Sequence, residues 1–151
     1  MLKTFKPAKS WFIEEERSRI ERAIRDAELE TSGEIRVHIE TRCPGDVLDR
    51  AAHIFEKLGM HKTEKRNGVL IYLAVESRKF AFIGDAGINA VVPEDFWEGL
   101  KMKALVYFRQ GKFTDGLVVV IHEIGHYLRK HFPIKRDDEN ELPNEISFGD
   151  E

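Results

Sequence analysis

The chain has 151 residues, 42% of them hydrophobic and 34% charged, which is enough for one compact domain that needs no disulfide or metal staple. A net charge of −3 gives no electrostatic case for nucleic acid, and a single cysteine, Cys43, excludes both an intramolecular disulfide and a cysteine-based zinc site. No apolar run approaches the length of a membrane span, and the N-terminal lysines are not followed by a signal-peptide core, so the chain reads as cytoplasmic.

Over residues 10–30, Phe12, Ile13, Ile20, Ala23, Ile24 and Ala27 keep a helical beat. Glu14, Glu15 and Glu16 stand early, where the helix dipole favours carboxylates. Thr31, Ser32 and Gly33 stop this helix. Residues 34–41 then alternate Ile35, Val37 and Ile39 with Glu34, Arg36, His38 and Glu40, the pattern of a strand with one polar face. Pro44 and Gly45 break the strand. Asp46 caps a helix through Val47, Leu48, Ala51, Ala52, Ile54, Phe55 and Leu58, which ends at Gly59.

Asn67 and Gly68 open the continuous apolar run 69–75, a strand covered on both faces, and a tight connection at 76–78 predicts a hairpin to a third strand at 79–83. Gly84 to Gly87 form a turn. Pro93 suits the first turn of a helix through Phe96, Trp97, Leu100, Ala104, Leu105 and Phe108. After Gly111 a last helix carries Leu117, Ile121, Ile124 and Leu128 as a buried stripe. A helix joining the first two strands makes them parallel by default. The expected fold is α/β, a three-layer α/β/α sandwich around a small mixed sheet of about four strands. Residues 1–133 form the domain, and 134–151 are read as an acidic tail that is mobile past Pro143.

The last helix holds His122-Glu123-Ile-Gly-His126, a match to the short zinc-peptidase signature. Both imidazoles leave one helical face, with a glutamate beside them as a general base. The context is wrong for zinc hydrolysis, which needs a third protein ligand. Arg129 and Phe132 stand where a metzincin continuation has Gly and His, and His131 is out of register. Glu139, Glu141 and Glu145 are the acidic residues that could fold back. The stripe accounts for the helix without a metal, so zinc is not expected.

Four stretches in order resemble the TPM domain family, named after a thylakoid lumen protein, a photosystem II repair-associated protein and a nematode acetylcholine-receptor regulator. They are Thr31-Ser-Gly-Glu-Ile-Arg-Val37, Asn67-Gly-Val-Leu-Ile-Tyr-Leu73, Gly84-Asp-Ala-Gly-Ile-Asn89 and Phe108-Arg-Gln-Gly-Lys-Phe-Thr-Asp-Gly-Leu117. The agreement runs over nearly the whole chain and is similar to stand-alone TPM proteins of marine bacteria. The resemblance implies an α/β/α fold, binding of a divalent cation (calcium or magnesium), and a phosphatase activity attributed to plant lumenal members. His122 and His126 are no part of the family pattern. The turn Gly84-Asp-Ala-Gly87 departs from the Gly-x-Gly of many members, and the signal peptide or anchor that most carry is missing here.

The expected topology gathers Thr31, Ser32, Glu34, Asn67, Asp85, Glu94 and Asp95 at one sheet edge. Glu34, Asn67, Asp85, Glu94 and Asp95 are the oxygen ligands that a hard cation would take. Asp46 and Asp49 form a second acidic pair, for which helix capping is the simpler account. Lys62, Lys65 and Arg66 could attract phosphate. The function expected from these readings is a TPM module that binds calcium or magnesium and acts in interaction or regulation, with another protein as a partner. The alternatives are a weak metal-dependent phosphatase using metal-activated water, and a zinc peptidase through His122, Glu123 and His126. No residue is assigned a catalytic role.

Overall fold

A computed structural model describes residues 6–134 and 142–149. Its helices are α1 (Glu14–Glu28), α2 (Val47–Lys57), α3 (Ala86–Asn89), α4 (Phe96–Phe108) and α5 (Phe113–His131). Strands β1 (Glu34–Glu40), β2 (Gly68–Ala74), β3 (Lys79–Gly84) and β4 (Ser147–Phe148) form one sheet in the order β3-β2-β1-β4. β1 runs parallel to both β2 and β4, whereas β2 and β3 form the antiparallel hairpin that the short 76–78 connection predicted. The α/β sandwich around a small four-stranded mixed sheet is as expected from the sequence.

The helices divide unequally between the two faces. One face carries Ile35, Val37, Ile39, Val69, Ile71 and Leu73, packed with residues of α1, α4 and α5 into the main core. On the other face Leu70, Tyr72, Ala74 and Ala81 meet Ala51, Ile54 and Phe55 of α2, together with Met60. Because α2 packs on the β2–β3 half, the β1–β4 half of that face is left to polar side chains.

Local chemistry explains the boundaries. α1 starts later than the periodicity suggests, because Ile13 is extended and Glu16 reaches back to accept its N–H at 3.0 Å. The residues before it form a 3-10 turn, Ala8–Trp11. Asp46 caps α2 by accepting the Asp49 N–H at 3.0 Å. α1 and α5 lie side by side, joined near their starts by the Thr114 hydroxyl donating to Glu16 at 2.9 Å. Near their ends a Cβ on Gly125 would stand 2.7 Å from that of Ala27.

Residues 147–148, which the sequence reading placed in the tail, join the sheet instead. His38 faces Ser147 and Ile39 faces Phe148, and Ile146 beside them is buried. Two residues carry no readable alternation, so this strand has no sequence signal of its own. Glu139 and Glu141 lie outside the described residues. Among the described residues no helix is long and apolar enough to cross a membrane.

Candidate functional site

The polar face of β1 is the unusual feature of this sheet. Glu34, Arg36, His38 and Glu40 point to one side of a strand that is paired on both edges, and Glu34, His38 and Glu40 are buried. Burying such groups is costly unless each is paired. Partners for the C-terminal half of the row come from three directions. Arg50 of α2 places its guanidinium on Glu40 as a two-point ion pair, with Nε 3.0 Å from Oε2 and an Nη2 bond to Oε1. The Tyr72 hydroxyl of β2 donates to Glu40 Oε2 at 2.6 Å, and its ring stacks on His38.

His38 Nε2 lies 3.2 Å from Glu40 Oε1 in a bent contact, and Nδ1 lies 3.0 Å from Ser147 Oγ of β4. Burial alone would raise the Glu40 pKa, but the adjacent His38 ring and the bonds from Arg50 and Tyr72 win and hold it down at about 2. Burial, then the adjacent Glu40 carboxylate, pushes the Tyr72 phenol up, so it stays a donor.

This network forms the wall of a cleft of about 490 Å³. Arg42, Pro44, Ile54, Lys57, Leu58, Phe148 and Gly149 complete the lining. Three cations, Arg42, Arg50 and Lys57, line the cleft with one carboxylate, Glu40; Arg50 is paired with that carboxylate, and Arg42 with Glu76 outside the lining. Gly149 is needed at the rim: its N–H bonds Ile39 O at 2.9 Å, and a Cβ there would come within 2.9 Å of Glu40 Cγ. The position follows from topology. The chain leaves β1 through α2 to β2 on one side and returns to β4 on the other, so the carboxyl end of β1 is a switch point, where α/β sheets leave a crevice for ligands.

At the opposite edge the structure brings together part of the oxygen-rich set. Glu34 N bonds Asn67 O at 3.4 Å, the Asn67 amide reaches Ser32 Oγ at 3.3 Å, and Lys65 Nζ donates to the same hydroxyl at 3.1 Å. Thr31 turns to the Leu128 and Phe132 carbonyls at the end of α5. Asp85 is engaged elsewhere. Arg66 donates to both its oxygens at 2.7 and 2.8 Å, and Asp85 also caps α3 through the Ala86 N–H at 2.8 Å. Burial would raise its pKa, but the guanidinium and this N–H hold it below the usual carboxylate range. Glu94 and Asp95 are exposed before α4.

The expectation of a calcium or magnesium ion on Glu34, Asn67, Asp85, Glu94 and Asp95 is therefore corrected. Among the described residues, no three His, Cys, Asp or Glu side chains come together in a way that could hold a metal ion. A cation beside Asp85 would compete with a guanidinium already seated on both carboxylate oxygens. The divalent metal expected as cofactor and partner has no such group to hold it among the described residues. The phosphatase reading, which relied on metal-activated water, loses its nucleophile.

The zinc alternative fails on the same finding. His122 and His126 are exposed on α5, and Glu123 forms an ion pair with Lys103 of α4. Glu145, one candidate for the missing ligand, interacts with Arg36 of β1. Sequence reasoning passed over His38, Glu40, Arg42, Arg50 and Ser147. The available signal was the row of ionisable residues on β1, which is costly to bury on a doubly paired strand.

Among the described residues, five α-helices on a β3-β2-β1-β4 sheet, with a crevice at the end of β1, define a small single-sheet α/β domain. A family profile described as the TPM domain matches residues 9–127, and the chain belongs to that family. It is similar to the BA42 protein of the psychrophilic bacterium Bizionia argentinensis, known from an NMR structure, with 51% identity and a TM-score of 0.85 over 91% of this chain and 95% of that one. The N-terminal domain of the cg2496 protein from Corynebacterium glutamicum shares the fold at 15% identity, with a TM-score of 0.62 over 78% of this chain and 74% of that one. No curated protein matches the chain.

Proposed function

We propose that this TPM domain is a binding module whose ligand site is the β1–β4 cleft and whose ligand is a small molecule bearing an anionic group. The observation that carries the reading is the cationic lining at a topological switch point: Arg42, Arg50 and Lys57 around a cleft of about 490 Å³. That volume is in the range of small-molecule sites, which is roughly 300–1,000 Å³. Arg50 is held by two bonds to a buried carboxylate, so its side chain is positioned before any ligand arrives.

Arg42 is ion-paired at 2.9 Å with Glu76. Its guanidinium is more than half exposed, so this pair is weak and open to exchange. Isothermal titration calorimetry with inorganic phosphate and with a dicarboxylate tests the reading. Binding should weaken about tenfold in each of Arg42→Gln and Lys57→Gln, the loss of one screened charge contact. Equal binding by both variants and the parent would sink it. The compartment we propose is the cytoplasm, on the single unpaired thiol Cys43. Recovery of the native protein in an extracytoplasmic fraction would count against that.

A further inference from the structure

We propose that Ser147 is a nucleophile activated by His38, and that the cleft hydrolyses carboxylic esters bearing an anionic group. The inference rests on the cleft being the ligand site, and adds chemistry to it. Three groups stand in sequence: Ser147 Oγ is 3.0 Å from His38 Nδ1, and His38 Nε2 is 3.2 Å from Glu40 Oε1. All three line the cleft.

The direction of the hydrogen bonds follows from charge. Glu40 is ionised, so it only accepts, and the tautomer that carries its proton on Nε2 turns that N–H toward the carboxylate, across a 3.2 Å contact that lacks hydrogen-bond geometry. Nδ1 then has a lone pair, and the Ser147 hydroxyl must be the donor. A serine hydroxyl donating to an imidazole whose other nitrogen faces a buried carboxylate is the arrangement that activates an alcohol for acyl transfer. The ring is used in the reverse sense from the serine proteases, with Nδ1 rather than Nε2 toward the serine. Glu40 is fixed by Arg50 and Tyr72, and the stacked Tyr72 ring steadies the imidazole.

In the first half-reaction Ser147 Oγ bonds to the ester carbonyl carbon as its proton passes to His38 Nδ1. The carbon–oxygen bond to the leaving alcohol breaks, and that alcohol takes the proton from His38. In the second, water gives a proton to His38 and attacks the acyl-serine. The carboxylic acid is released, and Ser147 Oγ recovers the proton. The sum is ester plus water giving acid plus alcohol, with no other reactant. Arg42 and Lys57 hold the anionic group of the substrate, while Arg50 stays on the Glu40 carboxylate.

A cross-strand hydrogen bond that merely docks β4 would show the same distance, so the test must read reactivity. The full chain is treated with an uncharged fluorophosphonate probe and the site of attachment is read by mass spectrometry. The expected result is one adduct on Ser147 in folded protein, absent from Ser147→Ala and lost when the protein is labelled in urea. Labelling in His38→Gln should be at least about 100-fold slower, the usual share of a general base. Absence of an adduct on Ser147, or equal labelling in urea or in a folded His38→Gln, would overturn the proposal. The urea comparison decides the matter without relying on a variant that folds. An uncharged probe does not need the cationic lining, so labelling can succeed where anion binding fails, and the reverse.

Discussion

Glu28 offers the sharpest test of the physical reasoning, because its environment makes folding depend on pH in an unusual direction. It sits at the end of α1 and accepts the Ile35 N–H through Oε2 at 2.7 Å. Burial pushes its pKa up, the Ile35 bond pulls it down, the neighbouring Glu34 carboxylate raises it again, and the result is about 8 against the ordinary 4.5 of a glutamate. A carboxyl group raised in the folded state holds a proton that the unfolded chain has already lost. Stability is therefore fully present below pH 4.5 and falls as pH rises toward 8. At about 1.36 kcal/mol per unit, the cost at pH 7 is on the order of 3 kcal/mol. Glu28→Gln keeps an acceptor for the Ile35 N–H and removes the charge. In urea denaturation the variant and parent should be close at pH 4.5, with the variant ahead by about 3 kcal/mol at pH 7. A difference between the two proteins that is the same at both pH values would refute the reasoning.

Other consequences are as direct. Tyr72→Phe removes one charge-assisted bond to Glu40 while Arg50 remains, and should cost about 1.5 kcal/mol in urea denaturation. Arg50→Met leaves the Glu40 carboxylate without its guanidinium and should cost about 3 kcal/mol, a larger loss than Tyr72→Phe; the reverse order would show that the ion pair does not anchor the network. Glu40 is held down at about 2, so its contribution is present above 4.5 and is lost as pH falls through about 2. The gap between parent and Glu40→Gln should accordingly narrow in acid. Gly87→Ala would put a Cβ 2.2 Å from the Lys65 carbonyl oxygen and 2.6 Å from that of Arg66. Thermal unfolding should show a loss of about 3 kcal/mol, and a variant as stable as the parent would contradict that packing.

The fold was legible wherever hydrophobic periodicity ran long enough to be read. The alternation of Ile35, Val37 and Ile39 and the unbroken apolar run of β2 both correspond to strands in the structure. The parallel pairing of β1 with β2 followed from the helix between them. β4 was not legible, because two residues carry no pattern and their pairing depends on a partner strand more than a hundred positions away.

The candidate site was hidden for the same reason. Its wall joins β1, α2, β2 and β4, and its residues share no motif in sequence. The metal expectation erred in a different way. Oxygen-bearing residues do gather at the opposite edge, but a sequence does not reveal that Arg66 reaches across nineteen positions to occupy both oxygens of Asp85. The zinc signature of α5 lies on the surface, since the buried stripe fixes the helix and leaves His122 and His126 exposed.

The central claim is that the cleft at the end of β1 is where this domain binds its ligand, and residue-by-residue NMR with inorganic phosphate tests it most directly. The backbone amides of Arg42, Arg50, Lys57, Ser147 and Gly149 should shift together along one saturating curve that Lys57→Gln moves to higher concentration. Shifts confined to Lys62, Lys65 and Arg66 at the opposite edge, or a response that Lys57→Gln leaves unchanged, would contradict the assignment.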